Sequence, residues 1–224
     1  MQLLIDGEAA GSAAGSTFLT AHGAGAAMDS AGMNALVGPL VSRGIRVVRF
    51  EFGYMAARRD GVRRPPPRAD TLAPEYRDAV AAVREAGPTG SLLIGGKSMG
   101  GRVASMVADE LADLGYIRGL VCLGYPFHPP ERPDQLRTAH LRELRVPTLI
   151  CQGTRDPFGT RDEVATYKLS KAINILWLED GDHDLRPRKA VSGFSMADHL
   201  KTMAEATAAW AESVIPTGAE RSEA

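Results

Sequence analysis

Cysteine is nearly absent from this sequence. The two that occur, Cys122 and Cys151, lie inside the apolar runs G-L-V-C-L-G and T-L-I-C-Q-G. A thiol in such a run behaves as a small buried hydrophobe, so both are expected to be reduced core residues, although adjacent strands would bring them close. Charge imbalance is also missing: a formal net charge of -1 gives no global pull toward nucleic acid or a membrane. The opening M-Q-L-L-I-D-G has no basic residue, and Asp6 interrupts an apolar run far too short for a signal segment or a membrane span. A cytoplasmic, membrane-free protein is expected, with oligomeric state left open. There is no internal repeat, no dividing linker and no close-spaced His/Cys/Asp cluster of metal-ligand type. Neither a metal nor another cofactor is expected.

What is present is an alternation. At 224 residues the chain suits a single α/β domain, since such domains often run to roughly 200 to 250 residues. Short Val/Ile/Leu-rich runs at 17–20, 45–50, 92–94, 119–123, 148–151 and 173–178 read as strands covered on both faces. Amphipathic stretches between them predict helices over 33–42, 73–85, 99–114, 161–171 and 197–214. In the last, Leu200, Met203, Ala206, Trp210 and Val214 draw one stripe. This is the pattern of a mostly parallel, twisted sheet of about six or seven strands in a three-layer α/β/α sandwich. A short edge strand at 2–5 and a low-complexity loop at 7–16 precede it. The domain is expected to span 1–215, with 216–224 a flexible tail.

The stretch L-L-I-G-G-K-S-M-G-G-R admits two machines. A phosphate loop needs G-x-x-x-x-G-K-[ST], but the position of its first glycine holds Ser91, and the strand runs up to Gly95. A nucleophile elbow needs strand, G-x-S-x-G and helix, and all three are here, with Ser98 at the tip of G-K-S-M-G. A serine hydroxyl needs a base, and the base an acid to fix its tautomer. Asp156 follows T-L-I-C-Q-G-T-R, and His183 follows I-L-W-L-E-D-G-D, each after a later strand and in that order. Asp182 and Asp184 are rivals of Asp156 for orienting the imidazole. The loop H-G-A-G would supply the backbone N–H of Ala24, which with that of Met99 would hold a developing oxyanion. His22 is expected to brace that loop rather than act as a base, and Lys97 to form a surface salt bridge.

One segment is compositionally odd. A-A-R-R-D-G-V-R-R-P-P-P-R-A-D crowds Arg58, Arg59, Arg63, Arg64 and Arg68 around a proline run that cannot be helical. These guanidiniums are either a grip for a substrate carboxylate or phosphate or a solvated, internally paired face. Tyr125 is a candidate pocket residue, with core packing the rival.

With the elbow, the H-G-A-G loop and the ordered Ser98, Asp156 and His183, the chain resembles the α/β-hydrolase superfamily from about Thr17 to Val214. H-G-A-G, F-G-Y-M, R-R-P-P-P, G-G-K-S-M-G-G-R and D-G-D-H-D-L look like its small dienelactone-hydrolase-like branch, which includes the testis-expressed and NSL-complex-subunit proteins. The resemblance implies Ser98 as nucleophile, His183 as base, Asp156 as its partner, and Ala24 and Met99 as the oxyanion hole. The sequence departs from the full superfamily pattern in having room for one strand before the H-G-A-G strand, where the full sheet has two, and in holding at most a small helix rather than a large lid between Gly124 and Val146. The expected function is a serine hydrolase acting on a small ester or thioester, with an anionic substrate allowed by Arg58, Arg63 and Arg64. The other reading is a hydrolase-shaped binding or scaffold protein that uses the arginine loop as a partner site.

Overall fold

A computed structural model describes residues 1–7, 15–87 and 90–215. Seven strands form one sheet: β1 (Leu3–Asp6), β2 (Ser16–Ala21), β3 (Arg46–Phe50), β4 (Ser91–Lys97), β5 (Gly119–Leu123), β6 (Thr148–Gly153) and β7 (Ile173–Leu178). Their spatial order is β1-β3-β2-β4-β5-β6-β7, with β1 antiparallel on the edge and the other neighbours parallel. The helices are α1 (Ala31–Val41), α2 (Gly53–Ala56), α3 (Ala73–Glu85), α4 (Met99–Asp113), α5 (Arg161–Val164), α6 (Lys189–Ser192) and α7 (Met196–Val214).

Alternation along each strand divides the core into two layers, because successive side chains point to opposite faces. Leu19, Ile94, Leu120 and Ile150 pack with Val80 of α3 and Val103 of α4. Phe18, Leu93, Val121 and Leu149 pack with Leu40 of α1 and Met203 of α7. The sandwich expected from the sequence is therefore present, with α1 and α7 on one face and α3 and α4 on the other. Cys122 belongs to the first layer and Cys151 to the second. Both are free and buried, and burial pushes both thiols well above the ordinary cysteine range. Among the described residues, no helix is long and apolar enough to cross a membrane.

Several boundaries differ from expectation. The helix predicted over 161–171 ends at Val164. It begins well, with Thr160 and Glu163 in a reciprocal capping box, but Thr166 N–H and Tyr167 N–H reach back only three residues, to Glu163 O and Val164 O, both at 3.0 Å, so the α-helical ladder stops there. The buried face of α7 runs through Leu200, Met203, Ala204, Thr207 and Ala211, so Ala206 and Trp210 flank it. Ser16 opens β2 rather than ending a loop; the rest of that predicted loop after Gly7, up to residue 14, and the tail at 216–224 lie outside the described residues. The connection from β5 to β6 holds a single short 3-10 turn, His140–Arg142, and no lid.

Tyr76 of α3 ties a helix directly to the middle of the sheet. Its hydroxyl accepts from Gly95 N–H at 2.8 Å and faces the carbonyl oxygens of Gly95 and Leu19 at 2.6 and 3.1 Å. Tyr76→Phe keeps the ring packing but strands a buried N–H. Urea denaturation is expected to show a loss of about 1 to 3 kcal/mol.

Candidate active site

Strand β4 hands the chain to α4 through Ser98, whose backbone sits at φ 51 and ψ -115. A non-glycine residue there is strained, and only a closely packed surround holds it. That surround is visible at the flanking glycines. A Cβ on Gly96, where φ is +155, would meet Ala21 O at 2.4 Å, and one on Gly100 would meet the same oxygen at 2.5 Å. The hydroxyl of Ser98 is consequently presented at the C-terminal edge of the sheet. Met99 N–H stands beside it at the helix N-terminus, where free donors and the positive end of the dipole gather.

Two later strand ends deliver the partners. His183, in the turn after β7, places Nε2 at 2.8 Å from Ser98 Oγ and Nδ1 at 2.8 Å from Asp156 Oδ2. Asp156, beyond β6, is fully buried. Its Oδ1 accepts from Phe158 N–H at 2.9 Å and its Oδ2 from the Gln152 amide at 2.8 Å. Gln152 is itself fixed, accepting from Tyr125 N–H at 2.7 Å. The Phe158 ring lies 4.1 Å from the imidazole, tilted by 31°. Asp182 turns instead to the N–H groups of Asp184 and Arg186, each at 2.9 Å, and Asp184 pairs with Lys97 at 3.3 Å. Neither orients the imidazole.

Gln152 and Phe158 escaped the sequence reading. A lone amide in the apolar strand T-L-I-C-Q-G was the available signal for the first, because a buried polar side chain there needs partners. For Phe158 the proximity to Asp156 in D-P-F was the only one.

The H-G-A-G loop is braced from β3's exit. Phe52 N–H donates to His22 Nε2 at 3.2 Å, which leaves the ring proton on Nδ1 to donate to Gly23 O at 2.6 Å. Burial lowers the His22 pKa, in keeping with a neutral ring. Tyr54 O–H donates to Ala24 O at 2.9 Å. Among the described residues, the backbone N–H groups of Ala24 and Met99 donate no hydrogen bond.

Ser98 and His183 open onto a cavity of about 780 Å³. Its walls are the H-G-A-G loop, the first turns of α1 from Ala31 to Leu36, Phe158 and Met196, so they are mainly apolar. Lys97, Asp184 and Arg186 supply the charge. Burial holds the Lys97 ammonium below the usual lysine range, opposed chiefly by Asp184; the lysine expected at the surface is buried.

The other candidates are placed elsewhere. Tyr125 is fully buried and does not line the cavity. Nor do Arg58, Arg63 and Arg64: Arg58 lies over the Tyr54 ring at 5.9 Å and donates to Arg64 O at 3.3 Å, while Arg63 and Arg64 are exposed. Arg59 and Arg68 are engaged by Glu51 and Asp70, at 2.8 and 3.2 Å. Among the described residues, no group of three or more His, Cys, Asp or Glu is arranged to hold a metal.

Known proteins share this architecture. A serine hydrolase without a lid from Xanthomonas campestris is 18% identical, with a TM-score of 0.68 over 96% of this chain and 89% of that one. Est1E from Butyrivibrio proteoclasticus, solved with ferulic acid bound, is 14% identical, with a TM-score of 0.68 over 95% and 94% of the two chains. A dienelactone hydrolase from Anabaena variabilis is 18% identical, with a TM-score of 0.63 over 90% and 87%. At these identities the likeness is one of fold. The family model described as "Alpha/beta hydrolase domain" matches residues 14–212. A match of that length, on a sheet of this order with a serine turn at its centre, makes the chain a member of the alpha/beta hydrolase family.

Proposed function

We propose that this protein is a serine hydrolase that cleaves a small carboxylic ester or thioester through an acyl-serine intermediate. The observation that carries the reading is the pair of 2.8 Å contacts joining Ser98, His183 and Asp156. Ser98 Oγ attacks the carbonyl carbon as His183 Nε2 takes its proton. The buried Asp156 carboxylate stabilises the imidazolium that forms, and its hydrogen bonds to Gln152 and Phe158 hold it in place. The N–H groups of Ala24 and Met99 receive the oxyanion. His183 then returns the proton to the departing alcohol or thiol. A water, deprotonated by the same nitrogen, releases the acid and restores Ser98.

The cavity supports an acyl group of modest size, held by apolar contact along α1, with Lys97 and Arg186 available to an anionic substituent. The ferulic acid bound to Est1E is a carboxylic acid of that kind of size, which favours an ester as substrate. This reading calls for no cofactor and places the enzyme in the cytoplasm.

Fluorophosphonate labelling with mass mapping tests the proposal, because such probes report an activated serine. Labelling of the folded protein is expected at Ser98, and neither Ser98→Ala nor His183→Ala should react. Absence of labelling would overturn the reading in favour of a hydrolase-shaped binding protein. With an ester substrate identified, Asp156→Asn is expected to lower kcat by about 10⁴, since the amide leaves the imidazole in the wrong tautomer. Tyr54→Phe releases the carbonyl of Ala24 without touching the nucleophile. Its kcat is expected to fall about tenfold with KM nearly unchanged, less than the roughly 10² to 10³ for outright loss of an oxyanion donor.

A further inference from the structure

A second cationic cluster lies outside the catalytic cavity, between α4 and the β5–β6 connection. Ser105 O–H donates to Arg102 O at 2.7 Å, and its oxygen lies 2.8 Å from His140 Nε2 and 3.4 Å from the Tyr125 hydroxyl. Tyr125 O–H also faces Arg137 O at 3.3 Å. One polar knot therefore pins the main chain that carries both arginines. Neither Arg102 nor Arg137 lines the catalytic cavity.

Both guanidiniums lack a carboxylate partner among the described residues. Buried Arg49 is treated differently, gripped by both oxygens of Asp6 at 2.7 and 2.8 Å. Half-buried Arg58, whose Nε is likewise unpartnered, lies over the Tyr54 ring and donates through its guanidinium to Arg64 O at 3.3 Å. Unpaired Arg63 and Arg64 are exposed, so water serves them. Arg102 and Arg137 are half-buried, and Arg102 Nε is shut off from solvent with no hydrogen-bond partner. Burial and the Arg102 cation lower the Arg137 pKa, and the same two causes push His140 down to about 4, so the imidazole is neutral near pH 7. Two like charges thus branch from one polar knot beside a neutral ring, with no carboxylate partner for either among the described residues.

Half-buried, uncompensated cations are costly, and a shared anion relieves both the repulsion and the unmet donor. A tetrahedral oxyanion has oxygens enough to meet two planar guanidinium forks at once. We propose that Arg102 and Arg137, with Tyr125 and His140 at their base, form a binding site for a phosphate group, distinct from the catalytic cavity.

Isothermal titration of inorganic phosphate into the full chain, with ionic strength held constant by sodium chloride, is the test. Saturable binding is expected, weakened about tenfold or more in Arg137→Gln and changed by less than about twofold in the exposed Arg63→Ala/Arg64→Ala double variant. Arg137→Lys keeps the charge without the fork. It is expected to bind with intermediate affinity, and it replaces Arg137→Gln should that variant not fold. A parallel titration with phenyl phosphate separates the sources: tighter binding of the ester assigns the site to a phosphorylated organic ligand, and tighter binding of the free ion to phosphate itself. Absence of wild-type binding up to about 10 mM phosphate overturns the proposal. So does binding that survives both Arg137 variants, which would place the anion in the catalytic cavity or on the exposed loop.

Discussion

Helix α4 comes so close to strand β2 that no side-chain atom fits between them at Gly100, where a Cβ would stand 2.5 Å from one carbonyl oxygen and 2.8 Å from the next. The unusual backbone of Ser98 depends on this approach. Close packing on both sides of the turn fixes a conformation that an isolated peptide would abandon. The same closeness brings the start of α4 alongside the H-G-A-G loop, because that loop leaves the end of the very strand α4 touches. The H-G-A-G loop and the start of α4 are thereby brought together beside Ser98 by a single packing constraint.

A second constraint works from the far side of the sheet. Gln152 occupies the end of β6 with its amide directed to Asp156, to Gly159 O and to the main chain of Tyr125, which both donates to it and accepts from it. The carboxylate that faces His183 therefore has no freedom of its own. Tyr125 extends this rigidity outward, since its hydroxyl joins Ser105, His140 and Arg137 O. One fully buried tyrosine is shared between the framework of the serine site and the base of the arginine pair. This explains why it makes no contact with the cavity, although its position after β5 had suggested pocket lining.

Much of this was legible in the sequence because parallel sheets confine information to strand ends. Ser98, Asp156 and His183 each follow an apolar run, and runs that end together in space need only be counted in order. The glycines of G-K-S-M-G are readable because nothing larger fits. Long-range side-chain partners have no such signature. Nothing local announces that Ser170 N–H bonds to Leu141 O, or that Arg59 finds Glu51 while Arg102, among the described residues, has no carboxylate partner. Lys97 was misplaced for a related reason: its charge suggested solvent, but its strand position put it under the His183 turn, where Asp184 reaches over it.

The two thiols acquire a use from the alternation of the strands. Cys122 is sealed by the α3 and α4 layer and Cys151 by the α1 and α7 layer, so no single local opening uncovers both. Their alkylation rates in the native protein are separate clocks for the detachment of each helical layer. Equal rates mean that the sandwich comes apart as a whole, whereas unequal rates identify the side from which the sheet is first laid bare.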